Sequence, residues 1–286
     1  MFFDDALLVS KELELTLTGK DCGLEERAPM CGVPYHSADA YIARLINKGY
    51  KVAICEQMEN PEDANGLVRR DVIRVVSPGT VLDANVLDEK KNNYLCCVYK
   101  DEEGAGAAFV DVTTGEMFTQ SFAGGEFLFK LYNELARYNP SEILINESAA
   151  GEKQFVEFIE ERFHLKPYSW PDGIYDLKQA QQRLLDHFHL ESLDTLGLYE
   201  QPYCVRSCGA LFEVLAQTQK ISMDHITDIA VYAEGQYMDI DINTRRNLEI
   251  TETLREKSKA GSLLSVLDRT NTAMGARLLR KWLEQP

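Results

Sequence analysis

No stretch of this 286-residue sequence approaches the ~20 consecutive apolar residues of a membrane-spanning helix, so none is expected. The start, Met1-Phe2-Phe3-Asp4-Asp5, lacks the basic and apolar regions of a secretory leader. Seven cysteines are present but no pair of CxxC knuckles, which argues against a structural zinc site. Cys96 and Cys97 are adjacent on a strand-like segment and are expected to face opposite ways. Cys204 and Cys208, four apart, can share a helix face. Scattered in this way, the thiols are expected to be reduced and mostly buried, as in a cytoplasmic protein. No G-x-x-x-x-G-K-[ST] phosphate loop occurs, so no nucleotide site is predicted. Gly104-Ala105-Gly106 has no Lys or Ser after it and reads as a hairpin turn. His187 and His189 are two apart and would diverge on a helix, which disfavours a metal site.

Paired carboxylates are equally scarce. Asp239 and Asp241 would share one face of a strand and could hold Mg²⁺. A solvated strand face with Ile240 and Ile242 buried is the favoured alternative. Asp111 ends a strand in a meander, where a two-metal nuclease would place an acid. The following strand supplies no second carboxylate between Met117 and Phe122, so a turn-capping role is preferred.

Charge is abundant but uneven. The net charge of −16 opposes DNA binding at first sight. Residues 1–81 carry 9 Lys and Arg against 13 Asp and Glu, residues 82–244 carry 12 against 28, and residues 245–281 carry 9 against 4. The acid lies in the middle, and a protein touching DNA only with its ends would have this distribution. So would many acidic proteins that never meet DNA.

Residues 1–81 read as a small α/β unit. An amphipathic stretch over 2–18 turns strand-like, and a Gly/Pro-rich loop covers 19–34. Ser37 is a plausible N-cap for a helix over 38–48, with Tyr41, Ile42, Leu45 and Ile46 on one face and Gly49 as its stop. Strands over 51–55 and 71–76 flank a polar loop around Pro61 and Gly66. The polar, acidic stretch 82–90 reads as a linker. A second α/β unit follows, with a meander of strands over 94–99, 107–112 and 116–122, a helix over 126–138, a strand over 142–145, and a helix marked by Phe155, Phe158, Ile159 and Phe163. From Asp176 the pattern is helical. Stripes run through Leu177, Ala180, Leu184 and Phe188, through Cys208, Leu211, Phe212 and Leu215, and through Met274, Leu278 and Trp282. The last stripe is expected to lie exposed, with some aggregation as a result. Loop-borne Lys20 and Arg27, with Arg69, Arg70 and Arg74 near the second strand, are the residue types that contact phosphate.

Several longer motifs point to one family. Pro29-Met30-Cys31-Gly32-Val33-Pro34-Tyr35-His36 resembles the G-[IV]-P-Y-H segment of the mismatch-binding domain of the MutS family. Val52-Ala53-Ile54-Cys55-Glu56-Gln57 and Arg74-Val75-Val76-Ser77-Pro78-Gly79-Thr80 resemble that domain's next two signatures. Asn243-Thr244-Arg245-Arg246-Asn247-Leu248-Glu249-Ile250 and the stretch from Ser265-Val266-Leu267-Asp268 to Trp282 resemble the start of the family's core domain. The resemblance runs the length of the chain. It implies an α/β fold class: a small mixed-sheet mismatch-binding domain over 1–81, a linker over 82–90, a ribonuclease-H-like connector domain over 91–200, and the start of the α-helical core and lever over 201–286.

The resemblance also carries functional expectations. It implies recognition of mismatched double-stranded DNA, a MutL-type partner at the connector, and homodimerisation in the full-length family. It implies no catalysis and no cofactor for this chain, because the family's ATP and Mg²⁺ belong to an ATPase domain expected beyond Pro286, with the clamp. The family's Phe-x-Glu mismatch-reading motif would fall just before Phe2-Phe3-Asp4-Asp5 and is expected to be missing. Lys20 and Arg70 match positions where family members carry backbone-contacting basic residues. Tyr35 and His36 are the signature pair of their loop. They either touch DNA or, with Pro34 stiffening the loop and Tyr35 packing under the sheet, serve structure. Two rival readings remain: a stand-alone protein-interaction module acting through the connector, and a metal-dependent nuclease.

Overall fold

The computed structural model describes residues 1–23, 25–59, 68–82, 87–220, 222–232, 238 and 240–286. The chain divides into two units, Met1–Pro78 and Gly79–Pro286.

The first unit opens with helix α1 (Phe3–Leu13), which buries Ala6, Val9 and Leu13 at i, i+3 and i+7. They pack with Cys31 and Leu45, edged by Tyr41, Tyr50 and Val52. Glu14 ends α1 in the left-handed region, its N–H donating to the Ser10 carbonyl. The stretch 19–34, expected to be loop, instead contributes a short antiparallel pair, β1 (Thr18–Lys20) and β2 (Ala28–Met30). Three-residue strands, one with Pro29 at its centre, carry too little periodicity to be read in advance. Helix α2 (Ala38–Ile46) follows Ser37 at the expected cap position, although the Ser37 side chain makes no capping bond. Gly49, at φ +83°, takes the turn that follows. Strands β3 (Val52–Gln57) and β4 (Arg70–Val76) pair antiparallel, with a register shift between Ile54 and Cys55. The loop expected around Pro61 and Gly66 lies outside the described residues, as do residues 83–86 of the linker assigned to 82–90.

The second unit is built on β5 (Tyr94–Lys100), β6 (Gly104–Asp111), β7 (Glu116–Ala123), helix α3 (Phe127–Tyr138), β8 (Glu142–Asn146), α4 (Glu147–Ala150), α5 (Lys153–Phe163), β9 (Tyr168–Trp170), α6 (Leu177–Phe188), α7 (Pro202–Gln219) and β10 (Ala230–Val231). The sheet order is β10-β7-β6-β5-β8-β9. β5, β6 and β7 form an antiparallel meander, while β8, β9 and β10 each pair parallel to a neighbour. A meander continued by parallel strands, with helices on both faces, is the arrangement expected of a ribonuclease-H-like unit. Cys97, Ala108, Val110 and Leu144 face α6 and α7. Cys96, Phe109, Ile143 and Ile145 face α3 and α5. The two adjacent cysteines therefore do point to opposite faces. β6 is buried along its whole length, so it shows no polar alternation.

The sequence reading ended the connector-like unit at residue 200, yet α7 packs on the sheet. Cys204, Cys208, Leu211 and Leu215 share a core with Leu95, Ala108 and Val110. Missing side chains permit this approach. A Cβ added at Gly106 would stand 2.2 Å from the Tyr203 carbonyl oxygen, and one at Gly209 would stand 2.4 Å from Ala180 Cβ on α6. Gly104-Ala105-Gly106, read as a turn, is thus strand beneath a helix. The turn lies just before it, where the Asp101 carboxylate accepts from the N–H groups of Glu103 and Gly104, both at 3.0 Å. Beyond β10 come short helices α8 (Ile242–Asn247) and α9 (Leu263–Leu267) and the longer α10 (Ala273–Glu284). Met274, Leu278 and Trp282 on α10 lie exposed, as the sequence predicted.

Two outcomes test this packing. Gly209→Ala is expected to destabilise the chain by about 1–3 kcal/mol, read as a lower urea midpoint; an unchanged midpoint would mean that α6 and α7 are not in contact there. Cys22 and Cys55 are exposed and the other five thiols are buried. Burial pushes Cys97 up to about 12 and Cys204 up to about 11. Ellman's reagent at neutral pH is expected to count two fast thiols in the folded chain and seven after unfolding. Three or more fast thiols would contradict the buried set.

Candidate nucleic-acid interface

The four residues singled out from sequence, Lys20, Tyr35, His36 and Arg70, all lie in the first unit, and all are exposed. Lys20 ends β1 opposite Ala28, and Thr18 Oγ1 donates to the Met30 carbonyl across the same pair at 2.9 Å. The chain start runs beside β2. The Met1 ammonium donates to the Cys31 carbonyl at 3.0 Å, the Cys31 N–H donates to the Met1 carbonyl at 3.2 Å, and Phe2 bridges Met30. This fixes the Phe2 ring beneath Lys20, whose ammonium lies 5.8 Å from the ring centroid. Phe3 follows at φ +49°, a strained backbone for a bulky residue, and is half exposed. Across the β1–β2 pair, Gly19 leaves room for Arg27: a Cβ at Gly19 would sit 3.1 Å from Arg27 Cβ. An exposed cation over an exposed aromatic ring therefore stands where chain start, β1 and β2 meet.

Tyr35 and His36 form a single 3-10 turn that leads into α2. Pro34 fixes the entry, and the Ser37 N–H donates to the Pro34 carbonyl at 3.0 Å. Tyr35 is 89% exposed, so it does not pack under the sheet. Arg70 begins β4 opposite Gln57. Its neighbour Arg69 is anchored through the backbone, with its N–H donating to Glu59 Oε1 at 2.6 Å and its carbonyl accepting from Met58. Arg74 is only half exposed. Burial pushes its pKa down and Asp39 pulls it back up, so it is spoken for within the unit. Lys20 is brought onto Phe2, whereas Lys20 and Arg70 stand on separate two-stranded sheets. The sequence reading passed over Phe2 and Phe3; the available signal was two adjacent aromatics ahead of an amphipathic helix.

Among the described residues, rival chemistry is not assembled. Asp111 Oδ1 accepts from Thr113 N at 2.9 Å and Thr113 Oγ1 at 2.6 Å; Oδ2 accepts from Asn92 Nδ2 at 2.9 Å and Asn93 N at 3.2 Å. Its oxygens are taken up by the turn it caps. Asp241 caps α8, accepting from Asn243 N at 2.8 Å and Thr244 N at 3.0 Å, so it does not sit on a strand; the Thr244 hydroxyl, donating to its Oδ2 at 2.6 Å, and then these backbone bonds hold its carboxyl below the usual range. Asp239 lies outside the described residues. His187 Nε2 lies 3.0 Å from the Ile226 carbonyl with its ring against Phe212, and His189 ends α6 in the left-handed region. Among the described residues no group of three or more His, Cys, Asp or Glu is placed to hold a metal ion. Nor is any helix among them long and apolar enough to cross a membrane.

Comparison with known proteins bears on all of these features at once. The family profile for MutS domain I matches residues 1–85, that for MutS domain II residues 93–227, and that for MutS domain III residues 243–286. The chain is 51% identical over 286 residues to the DNA mismatch repair protein MutS of Ruminiclostridium cellulolyticum, covering all of this chain and 32% of that protein. It is 51% identical over 288 residues to that of Acetivibrio thermocellus, again covering all of this chain and 32% of the relative. For Clostridium novyi the identity is 47% over 292 residues, with 30% of the relative covered. The chain spans about a third of the length of the curated relatives it matches.

Exposure separates a binding role for Tyr35 from a structural one. Tyr35→Ala is expected to leave the thermal midpoint within the change produced by about 0.5 kcal/mol. Phe109→Ala, fully buried in the sheet, is expected to cost about 3–5 kcal/mol. A large loss of stability in the Tyr35 variant would make the residue structural.

Proposed function

Because the chain belongs to the MutS family, we propose that it acts in DNA mismatch repair, as the part of a MutS-type protein that engages mismatched duplex DNA. The observation that carries this is the Lys20 ammonium over the exposed Phe2 ring, in the unit matched by MutS domain I. Cations on a duplex neutralise phosphates and displace counterions. An aromatic ring beside them offers a face on which a base can stack whatever its identity. One base–aromatic stack contributes roughly 1–3 kcal/mol. Lys20 and Arg70 are assigned to phosphate, and Tyr35 and His36 to the same DNA-facing surface.

In this reading the sheet of the second unit relays to a MutL-type partner, and the parent protein works as a homodimer in the cytoplasm. The chain performs no catalysis itself and takes no nucleotide or metal; ATP and Mg²⁺ serve another domain of the family's proteins. The turn-capping bonds of Asp111 and the capping role of Asp241 support that assignment.

The test is fluorescence anisotropy with a G·T-mismatched duplex and its matched control, at low and moderate salt. Weak, salt-sensitive binding is expected. Lys20→Ala and Arg70→Ala should each lower the slope of log affinity against log salt by about 1, equally on both duplexes, because phosphate contacts carry no base information. The two duplexes should bind within about tenfold of each other where phosphate contacts dominate. Salt slopes unchanged in both variants would remove these residues from the interface. A mismatch preference above tenfold would place base reading in the residues present here.

A further inference from the structure

The second unit contains a cavity of about 290 Å³ where α3 and the ends of β5 and β7 meet α8 and α10. Nine Lys or Arg side chains line it against three Glu, in a chain whose net charge is −16. Cations this dense repel one another, so the fold needs a reason to converge them.

The cations are incompletely matched from within. Arg137, on α3, has the Glu134 carboxylate 2.6 Å away and donates to the Tyr138 hydroxyl at 3.0 Å. Arg245, on α8, donates through Nη2 to the backbone carbonyl of Glu284 at 3.1 Å, but its Nε and Nη1 are buried without a hydrogen-bond partner. Arg280, on α10, reaches Glu284 Oε1 only at 3.5 Å, and its Nε is likewise buried and unpartnered. Lys281 lies with its ammonium 4.6 Å from the Phe118 ring centroid. Buried donors are almost always paired in folded proteins, so three free N–H-bearing nitrogens on two neighbouring guanidiniums signal an absent acceptor. Glu284 gives Arg280 one long side-chain contact and gives Arg245 only its backbone carbonyl.

We propose that this cavity binds a small, multiply charged oxyanion of the phosphate class, held by Arg245 and Arg280 with Lys281 as a point charge. Guanidinium forks match the geometry of phosphate oxygens, and charge-assisted bonds of this kind are the strong ones. The volume suits a small ligand. A DNA backbone does not suit it, because these guanidiniums are recessed in a concavity that a duplex cannot follow. The site is separate from Lys20 and Arg70, which lie in the other unit, and it does not depend on the DNA-binding reading.

The experiment is isothermal titration of the full chain with inorganic pyrophosphate, at low ionic strength and without magnesium. One saturable site is expected. Arg245→Gln should weaken it by about tenfold or more. Lys153→Gln, on the solvent-facing side of α5, should leave it unchanged. If Arg245→Gln does not melt cooperatively, Lys281→Gln carries the same test; its ammonium rests on a ring rather than in a core bond, and a loss of about threefold or more is expected. No saturation up to about 10 mM pyrophosphate, affinity unaffected by either substitution, or equal affinity for sulfate would each overturn the assignment.

Discussion

The approach of α7 to β6 sets the distances on which the larger unit is built. At Gly106 the strand has no side chain because the Tyr203 backbone occupies that space, and at Gly209 the helix has none because Ala180 does. Two close contacts on the two sides of one helix hold it between the sheet and α6. Everything else on that face follows, since Cys204, Cys208, Leu211 and Leu215 can fill the remaining volume only if α7 lies this near the sheet. The polar end of the same contact is satisfied as well: the Tyr203 hydroxyl donates to Asp101 Oδ1 at 2.9 Å, tying the start of α7 to the turn between β5 and β6. The opposite face of the sheet uses larger side chains, with Phe109 stacked on Tyr138 at 4.1 Å between centroids.

That constraint explains what could be read in advance and what could not. Amphipathic helices such as α3, α5 and α6 announce themselves, because one face is wet and the apolar spacing survives in the sequence. The meander was legible from its turns and apolar runs. α7 was legible as a helix but not as part of the sheet unit, since a helix buried along most of its length has no wet face to reveal which way it docks. Gly106, which marks its docking on the sheet, reads in the sequence as part of a turn, because glycine composition alone does not distinguish a reversal from a close approach. β9 and β10 are three and two residues long and pair in parallel with strands distant in sequence, so no local pattern betrays them.

The candidate interface divides in the same way. Residue type and the family motif were enough to pick out Lys20, Arg70, Tyr35 and His36, and all four are exposed. What the sequence could not convey is pairing in space. Lys20 meets Phe2 only because β1, β2 and the chain start come together, eighteen residues apart in the chain. Arg74 has the same side chain as Arg70 and lies four residues along the same strand, yet it turns toward Asp39 and is half withdrawn from solvent. A register shift interrupts β4 between them, with Val72 opposite Cys55 and Arg74 opposite Ile54, so simple alternation does not carry from one arginine to the other.

Net charge is a poor guide to such a molecule, for a physical reason. At physiological ionic strength the field of an exposed charge fades over about 8 Å, so a phosphate senses the few groups nearest it rather than the total of −16. Several acids of residues 82–244 lie on solvated helix faces, for example Glu157 and Glu160 on α5 and Asp186 on α6, where water screens them. The basic run of residues 245–281 is treated differently, because α8 and α10 turn Arg245 and Arg280 inward together with Glu284. Burial pushes the Glu284 carboxyl upward, and Arg280, Arg245 and Lys91 pull it back. A withdrawn charge is screened weakly and interacts strongly, so a few recessed guanidiniums outweigh many exposed carboxylates in deciding what this surface can hold.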